Sequence, residues 1–329
     1  MPRPRRIAIL GAGAWGTALA LQAARAGNAV ALWTRDAARA AAITEAGENT
    51  RYLPGQPLPP AITVTTEAGA ALEGAAFALV VVPIQHLRGV VAGLPPGGCP
   101  LVVCAKGVER GTLCLPLEIL AQLRPQAHAA VLSGPNFAHE VAAGLPAAAV
   151  VASRDGALRG LAADLLGTSG FRLYGGDDPM GVQVGGAAKN VIAIAAGAVI
   201  GAGLGENARA ALVTRGLAEL SRLAVALGGR AETAAGLSGL GDLLLTTTGP
   251  GSRNTSLGMA LARGTSLQDV LASRAGVTEG VETAPALVAR AAAAGVELPV
   301  CAAVADLLAG KLTIETAIGR LLARPRRDE

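Results

Sequence analysis

The feature that most constrains this chain is a glycine loop set between two short apolar runs. Gly11-Ala12-Gly13-Ala14-Trp15-Gly16 follows RIAIL at 6–10, and AVALW stands at 29–33. The apolar runs predict strands. The alanine-rich stretch from Trp15 to Ala26 predicts a helix, because alanine gives up no side-chain entropy on becoming helical. Strand, GxGxxG, helix and strand within about thirty residues form a dinucleotide-binding βαβ unit of the Rossmann type. In such a unit Gly11 permits the tight turn, Gly13 lets the backbone approach a pyrophosphate, and Gly16 lets the helix pack on the strand. The helix start adds free N–H groups and a positive dipole end for the phosphates. A glycine turn with no ligand is the alternative, and the flanking strands argue against it.

The same alternation continues to residue 176. Strands are expected at 6–10, 29–33, 62–65, 77–82, 101–105, 129–133, 147–152 and 171–174. Several are unbroken apolar runs, as strands covered on both faces should be. Strands separated by helices imply right-handed crossovers and a mostly parallel sheet. Past Asp177 the strand pattern stops. Helices are expected at 180–203, 206–227, 232–247, 255–263, 267–274, 280–294, 299–309 and 313–322, broken at Gly228-Gly229, Gly249-Pro250-Gly251, Gly295 and Pro299. The fold class is therefore α/β, with a Rossmann domain at 1–176 followed by an all-α domain at 177–329. A chain of 329 residues is long enough for two such cores.

Composition excludes several roles. The net charge is only +4, and no basic run interleaves with aromatics. The basic groups Arg3 to Arg6 and Arg324 to Arg327 read as solvated termini, so no nucleic-acid partner is expected. Cys99, Cys104, Cys114 and Cys301 form no CxxC pair, and the three histidines stand apart without an HExxH. Neither a disulfide framework nor a metal site is expected, and free thiols fit a reducing cytoplasm. Cys104 reads as a small core residue, and His86 lies at the sheet edge without assigned chemistry. The N-terminus shows no signal peptide, because strand 6–10 runs straight into the glycine loop. Val182 to Leu204 is apolar enough to resemble a membrane span. Lys189, Asn190 and several glycines inside it favour a buried core helix, so no membrane insertion is expected.

The end of the second strand bears on which dinucleotide binds. An acidic residue there hydrogen-bonds the ribose 2′-hydroxyl of NAD, whereas an arginine accommodates the 2′-phosphate of NADP. Trp33-Thr34-Arg35-Asp36 puts Arg35 first and leaves Asp36 to cap the next helix. That order tilts the expectation toward NADPH. A solvated Arg35 with use of both cofactors is the alternative.

Only three of the 28 basic residues are lysines: Lys106, Lys189 and Lys311. A chain so biased to arginine points to lysine where a compact, titratable ammonium is needed, although coding bias has the same outcome. Lys311 follows Gly310 and reads as solvated. Lys106 follows strand 101–105, at the carboxyl edge where open α/β sheets bind ligands. Lys189 lies in the most apolar helix, where desolvation makes its proton easier to release. Their bland readings are a loop cation and a snorkelling lysine.

The ordered blocks resemble the bacterial NAD(P)-dependent glycerol-3-phosphate dehydrogenases from about residue 6 to 322. They are GAGAWGTALA at 11–20, NTRYLPG at 49–55, VVVP at 80–83, Lys106-Gly107, SGPNFAHEVAAGLP at 133–146, GGAAKNVIAIAAG at 185–197, GLGDLLLT at 239–246, SRN at 252–254 and VTEGVET at 277–283. The resemblance implies reduction of dihydroxyacetone phosphate to glycerol 3-phosphate with NADPH or NADH, for phospholipid synthesis, by a cytoplasmic homodimer. Lys189 then becomes the acid for the carbonyl oxygen, with Asn190, Asp242 and Thr246 orienting it and the substrate. Lys106 becomes an electrostatic partner of both cofactor and substrate. Ser252, Arg253 and Asn254 supply a hydroxyl, a guanidinium and an amide to the substrate phosphate; without the resemblance they also read as a helix cap with a surface arginine. Gly134 and Asn136 match substrate positions, Asn136 replacing the serine or threonine common there. Gly11, Gly13, Ala14, Trp15, Gly16, Arg35, Tyr52, Lys106, Ala138, Arg253, Val277 and Glu279 match cofactor positions. Two other readings stand beside this one: another Rossmann-plus-helical dehydrogenase of the hydroxyacid or 6-phosphogluconate kind, and a non-catalytic dinucleotide sensor.

Overall fold

The computed structural model describes residues 5–249, 251–273 and 277–323. Arg3, Pro250, Arg274 at the end of the helix expected at 267–274, and Arg324 to Arg327 lie outside the described residues. Two compact units emerge: Met1–Lys106 with Cys114–Gln183, and Gly107–Leu113 with Val184–Glu329. The sequence reading placed a single boundary after residue 176.

Among the described residues the first unit is built on eight strands: β1 (Arg6–Leu10), β2 (Ala29–Trp33), β3 (Ile62–Thr65), β4 (Ala75–Val80), β5 (Leu101–Val103), β6 (Ala129–Ser133), β7 (Ala147–Ala152) and β8 (Phe171–Gly176). Their spatial order is β3-β2-β1-β4-β5-β6-β7-β8. The connecting helices are α1 (Ala14–Arg25), α2 (Ala37–Ala46), α3 (Ala68–Leu72), α4 (Ile84–Ala92), α5 (Pro116–Leu123), α6 (Ala138–Ala142) and α7 (Gly156–Leu166). Alternation along each strand feeds two cores. Ile7, Ile9, Phe77, Leu79 and Val102 pack with Leu19 of α1, Val141 of α6 and Leu158 of α7. Ala8, Leu10, Ala78, Val80, Leu101 and Val103 pack on the other face with Ala71, Ile84, Leu87 and Ile119 of α3 to α5. Burial on both faces explains the unbroken apolar runs.

Three details differ from the sequence reading. β4 runs two residues earlier than expected. After it Val81 N–H still donates to Leu10 O at 2.8 Å, but Val82 and Pro83 leave the ladder and Pro83 caps α4. β5 stops at Val103, so Cys104 lies just past the strand rather than inside it, still buried. β7 runs antiparallel to β6, because their connection carries only the five-residue α6 rather than a full crossover helix.

The second unit is helical: α8 (Pro179–Gly201, which begins in the first unit), α9 (Gly205–Ala226), α10 (Ala231–Ala234), α11 (Asp242–Thr247), α12 (Arg253–Ala262), α13 (Leu267–Ala272), α14 (Glu279–Ala293), α15 (Pro299–Leu308) and α16 (Ile314–Leu322). α8 is long and apolar enough to cross a membrane, yet 89% of its most apolar window is buried inside the protein. Small residues let its neighbours close in: a Cβ on Gly197 would lie 2.0 Å from Thr255 O, and one on Gly258 2.0 Å from Ile194 O. The single helix expected at 232–247 is interrupted. α10 ends after four residues, one π-helical turn follows at Leu237–Gly241, and α11 starts at Asp242. Gly239 is what fits there, since a Cβ would sit 2.1 Å from Ala234 O. Such a turn re-aims the residues after it, here Asp242.

Candidate active site

In the first unit the carboxyl ends of β1, β2, β5 and β6 bring Gly11 to Gly16, Arg35, Lys106 and Gly134 to one edge of the sheet. The strand order turns outward between β1 and β4, the switch point where such sheets bind ligands. The three loop glycines are needed for three reasons. Gly11 has φ +128°, and a Cβ there would be 2.3 Å from Val81 O; a Cβ on Gly16 would be 1.8 Å from Gly11 O. Around Gly13 nothing lies within 4 Å of an added Cβ, so its lack of a side chain leaves room for something outside the protein. Ala14 and Trp15 open α1, with Trp15 half-buried against the core. This cradle fits a dinucleotide pyrophosphate.

Arg35 is exposed just past β2. Asp36 caps α2 by accepting from Arg39 N–H at 3.1 Å, and its other oxygen pairs with the Arg39 guanidinium at 3.4 Å. Both carboxylate oxygens are therefore engaged. The Tyr52 ring has Arg39 at 5.0 Å and Arg51 at 5.5 Å from its centre, a pair of cation–π contacts. Lys106 Nζ donates to Gly134 O at 3.4 Å. Gly134 has φ +149°, and a Cβ would meet Ala149 Cα at 2.9 Å. Asn136 Nδ2 donates to Ala148 O at 3.0 Å, and its Oδ1 is buried without a partner among the described residues, as is Ser133 Oγ. Ala138 starts α6.

The second unit holds a polar cluster inside its helical core. Lys189 and Asn190 are consecutive on α8, so their side chains leave in different directions. Lys189 Nζ donates to Asp242 Oδ1 at 2.6 Å and to Thr246 Oγ1 at 3.3 Å. Asp242 and Thr246 are four residues apart on α11, which puts both on one face. Asn190 Nδ2 donates to Glu279 Oε2 at 3.1 Å, and its Oδ1 accepts from Asn254 Nδ2 at 3.0 Å. Asn254 Oδ1 accepts from Gly280 N–H at 3.0 Å. Lys189, Asn190, Asp242, Thr246, Ser252 and Asn254 are all buried, whereas Arg253 is exposed. Ser252 caps α12 by accepting from Thr255 N–H at 3.3 Å, so the cap reading of this triplet is realised beside any ligand role. Val277, 45% exposed, precedes α14, which Glu279 opens.

The N-terminal profile of the NAD-dependent glycerol-3-phosphate dehydrogenases matches residues 6–159, and the C-terminal one residues 178–319. The chain belongs to the NAD-dependent glycerol-3-phosphate dehydrogenase family. It is 56% identical over 322 residues to an NAD(P)+ glycerol-3-phosphate dehydrogenase of Acidiphilium cryptum, covering 98% of each chain. It is 52% identical over 326 residues to the corresponding protein of Rhodospirillum rubrum, covering 98% of this chain and 93% of that one. Among solved structures, glycerol-3-phosphate dehydrogenase of Coxiella burnetii superposes with a TM-score of 0.94 at 39% identity, over 98% of this chain and 100% of that one. Because both profiles match, membership in the glycerol-3-phosphate dehydrogenase family rests on the helical unit as well as the cofactor fold.

Sequence reasoning assigned no role to Thr17, Asn49 or Thr255. Asn49 Nδ2 donates to Ala12 O at 3.0 Å and Thr17 Oγ1 at 2.8 Å. Thr255 Oγ1 donates to Thr246 O and ties α12 to α11. Only the block NTRYLPG pointed near Asn49, and spacing carried no sign of either tie.

Proposed function

We propose that this protein reduces dihydroxyacetone phosphate to sn-glycerol 3-phosphate with NADPH or NADH, supplying glycerol 3-phosphate for phospholipid synthesis. The observation that carries the reading is Lys189, a buried lysine held between Asp242 and Thr246 in the core of the helical unit. When bound, the reduced nicotinamide supplies the hydride. Lys189 holds the proton for the carbonyl oxygen at Nζ and accepts it back when glycerol 3-phosphate is oxidised. Asp242 and Thr246 fix where that Nζ sits, and Asn190 orients a substrate hydroxyl. Ser252, Arg253 and Asn254 take the phosphate at the start of α12, where the helix dipole assists. Asn254 already spends one N–H on Asn190 and its oxygen on Gly280, so a single N–H is left for the substrate.

In the other unit, Gly11 to Gly16 take the pyrophosphate and Arg35 the 2′-phosphate, with Tyr52 and Ala138 beside the cofactor. Lys106, Gly134 and Asn136 complete the substrate contacts, and Val277 and Glu279 belong with the cofactor. Residues 1–176 thus supply most of the cofactor contacts and residues 177–329 most of the substrate contacts. The family resemblance further implies a cytoplasmic homodimer, which light scattering on the purified protein tests. The activity itself is tested by following nicotinamide oxidation at 340 nm. Purified protein consumes NADPH only when dihydroxyacetone phosphate is present; a folded sample inert with both NADPH and NADH overturns the reading.

A further inference from the structure

The phosphate loop is held from behind by one buried amide. Asn49 is 1% exposed, and its Nδ2 places one hydrogen on Ala12 O (3.0 Å) and the other on Thr17 Oγ1 (2.8 Å). Because Thr17 Oγ1 accepts from Asn49, its own proton goes to Gly13 O at 2.9 Å, a carbonyl that also accepts from Thr17 N–H at 2.9 Å. Two consecutive loop carbonyls, at 12 and 13, are thereby pinned from one side. A trans peptide is planar, so its C=O and the next residue's N–H point in opposite directions. Pinning Ala12 O turns Gly13 N–H away from Asn49, and pinning Gly13 O turns Ala14 N–H away from Thr17. Around Gly13 an added Cβ meets nothing within 4 Å, so these donors border space open to a ligand.

The amide orientation is fixed by chemistry, since a flipped Asn49 would set its oxygen against Ala12 O. That leaves Oδ1 buried with no partner among the described residues. An unsatisfied buried acceptor is costly, so the fold retains the donor edge of this amide at a loss on its other edge. The backbone around Asn49 is rigid as well. Its carbonyl accepts from Tyr52 N–H at 3.2 Å and Leu53 N–H at 2.8 Å, and Leu53 is in the core.

We propose that Asn49 is a positioning residue of the cofactor site, holding the Gly11–Gly16 loop with the N–H groups of Gly13 and Ala14 aimed at the pyrophosphate. This rests on the dinucleotide reading above. Because NADPH and NADH share the pyrophosphate, loss of the clamp weakens both by the same factor.

The test titrates the full-length protein with NADPH and NADH by nicotinamide fluorescence, alongside steady-state kinetics and melting curves. Asn49→Ala, having lost a hydrogen bond of order 1 kcal/mol, binds each cofactor about five- to fifteenfold more weakly. Its kcat at saturating cofactor and its KM for dihydroxyacetone phosphate stay within about twofold, a split that uniform ground-state binding produces. Asn49→Asp, unable to donate, weakens binding at least as much. Thr17→Val weakens it less, and the double variant Thr17→Val/Asn49→Ala loses less than the product of the two single effects, because they share one network. Unchanged affinity in folded Asn49→Ala overturns the proposal. So does a loss confined to NADPH, which would move the effect to Tyr52 and its arginines. If Asn49→Ala fails to fold, Thr17→Val decides, and unchanged affinity there overturns it. If the wild type binds neither cofactor, the dinucleotide reading fails and this proposal with it; wild-type binding with a silent Asn49 rejects this proposal alone.

Discussion

The Nζ of Lys189 and Oδ1 of Asp242 stand 2.6 Å apart on side chains that are 11% and 1% exposed. A pair this deeply buried gains little net stability, because desolvation offsets most of the attraction, but removing either partner strands the other charge. Its value lies in placement: an α8 lysine is held against α11 with Thr246 as a second anchor.

Replacing Lys189 tests that placement. Lys189→Met, which keeps most of the volume, lowers kcat by about 10²- to 10⁴-fold, the usual contribution of a positioned proton donor. Cofactor binding is unchanged, and the melting point falls because buried Asp242 loses the charge of the lysine. Near-normal kcat in a folded Lys189→Met protein would remove the lysine from the chemistry.

Arg253 should behave differently. It is exposed at the start of α12, and the phosphate it is assigned is remote from the reacting carbon. Loss of a charge-assisted contact of about 1.5–3 kcal/mol raises KM for dihydroxyacetone phosphate roughly ten- to hundredfold, with kcat within a few fold. Ser252→Ala is the contrasting variant, since it also removes the cap of α12 and costs about 1 kcal/mol of stability. Unchanged KM in Arg253→Ala would free the phosphate from this triplet.

How much of this was legible in the sequence follows from how local each feature is. The glycine loop, α8 and the cap at Asp36 depend on neighbours within a few residues, and all are where the pattern placed them. Lys189 was conspicuous as a lysine in an apolar helix. Its partner Asp242 lies 53 residues away, and only the family resemblance linked them. The direction of β7, the π-helical turn before Asp242 and the grip of Asn49 on Ala12 had no local signature. Each depends on a backbone path or a contact across tens of residues. The segment 107–113 groups with the helical unit, although it follows a strand of the other; there Arg110 pairs with Glu282 at 2.7 Å. No periodicity announces such an excursion.

The cofactor preference proposed for Arg35 is open to a direct test. Asp36, the carboxylate nearest the end of β2, is tied to Arg39 at the start of α2, which leaves Arg35 as the group proposed to meet the ribose. Arg35→Ala therefore lowers kcat/KM for NADPH about tenfold, the value of one charge-assisted contact, and leaves NADH within about twofold. Equal losses with both cofactors would mean that Arg35 does not read the 2′-phosphate.

Glu219 makes a prediction about stability and pH. It projects from α9, 2% exposed, and caps α15 by accepting from Val300 N–H at 2.6 Å and Cys301 N–H at 3.2 Å. Burial pushes its carboxyl pKa up, against the pull of those two donors and of Arg222. A carboxyl whose folded pKa is raised binds its proton more tightly in the folded state. Its contribution is therefore complete below the unfolded value of about 4.3 and is lost as pH rises through the folded one. Glu219→Gln cannot titrate and lacks this dependence, whatever constant offset its altered hydrogen bonds introduce. The melting-point difference, wild type minus Glu219→Gln, is accordingly most favourable to the wild type near pH 4 and declines as pH rises above it. A difference that grows with pH would show that the α15 amides outweigh burial and hold the carboxylate charged in the folded protein.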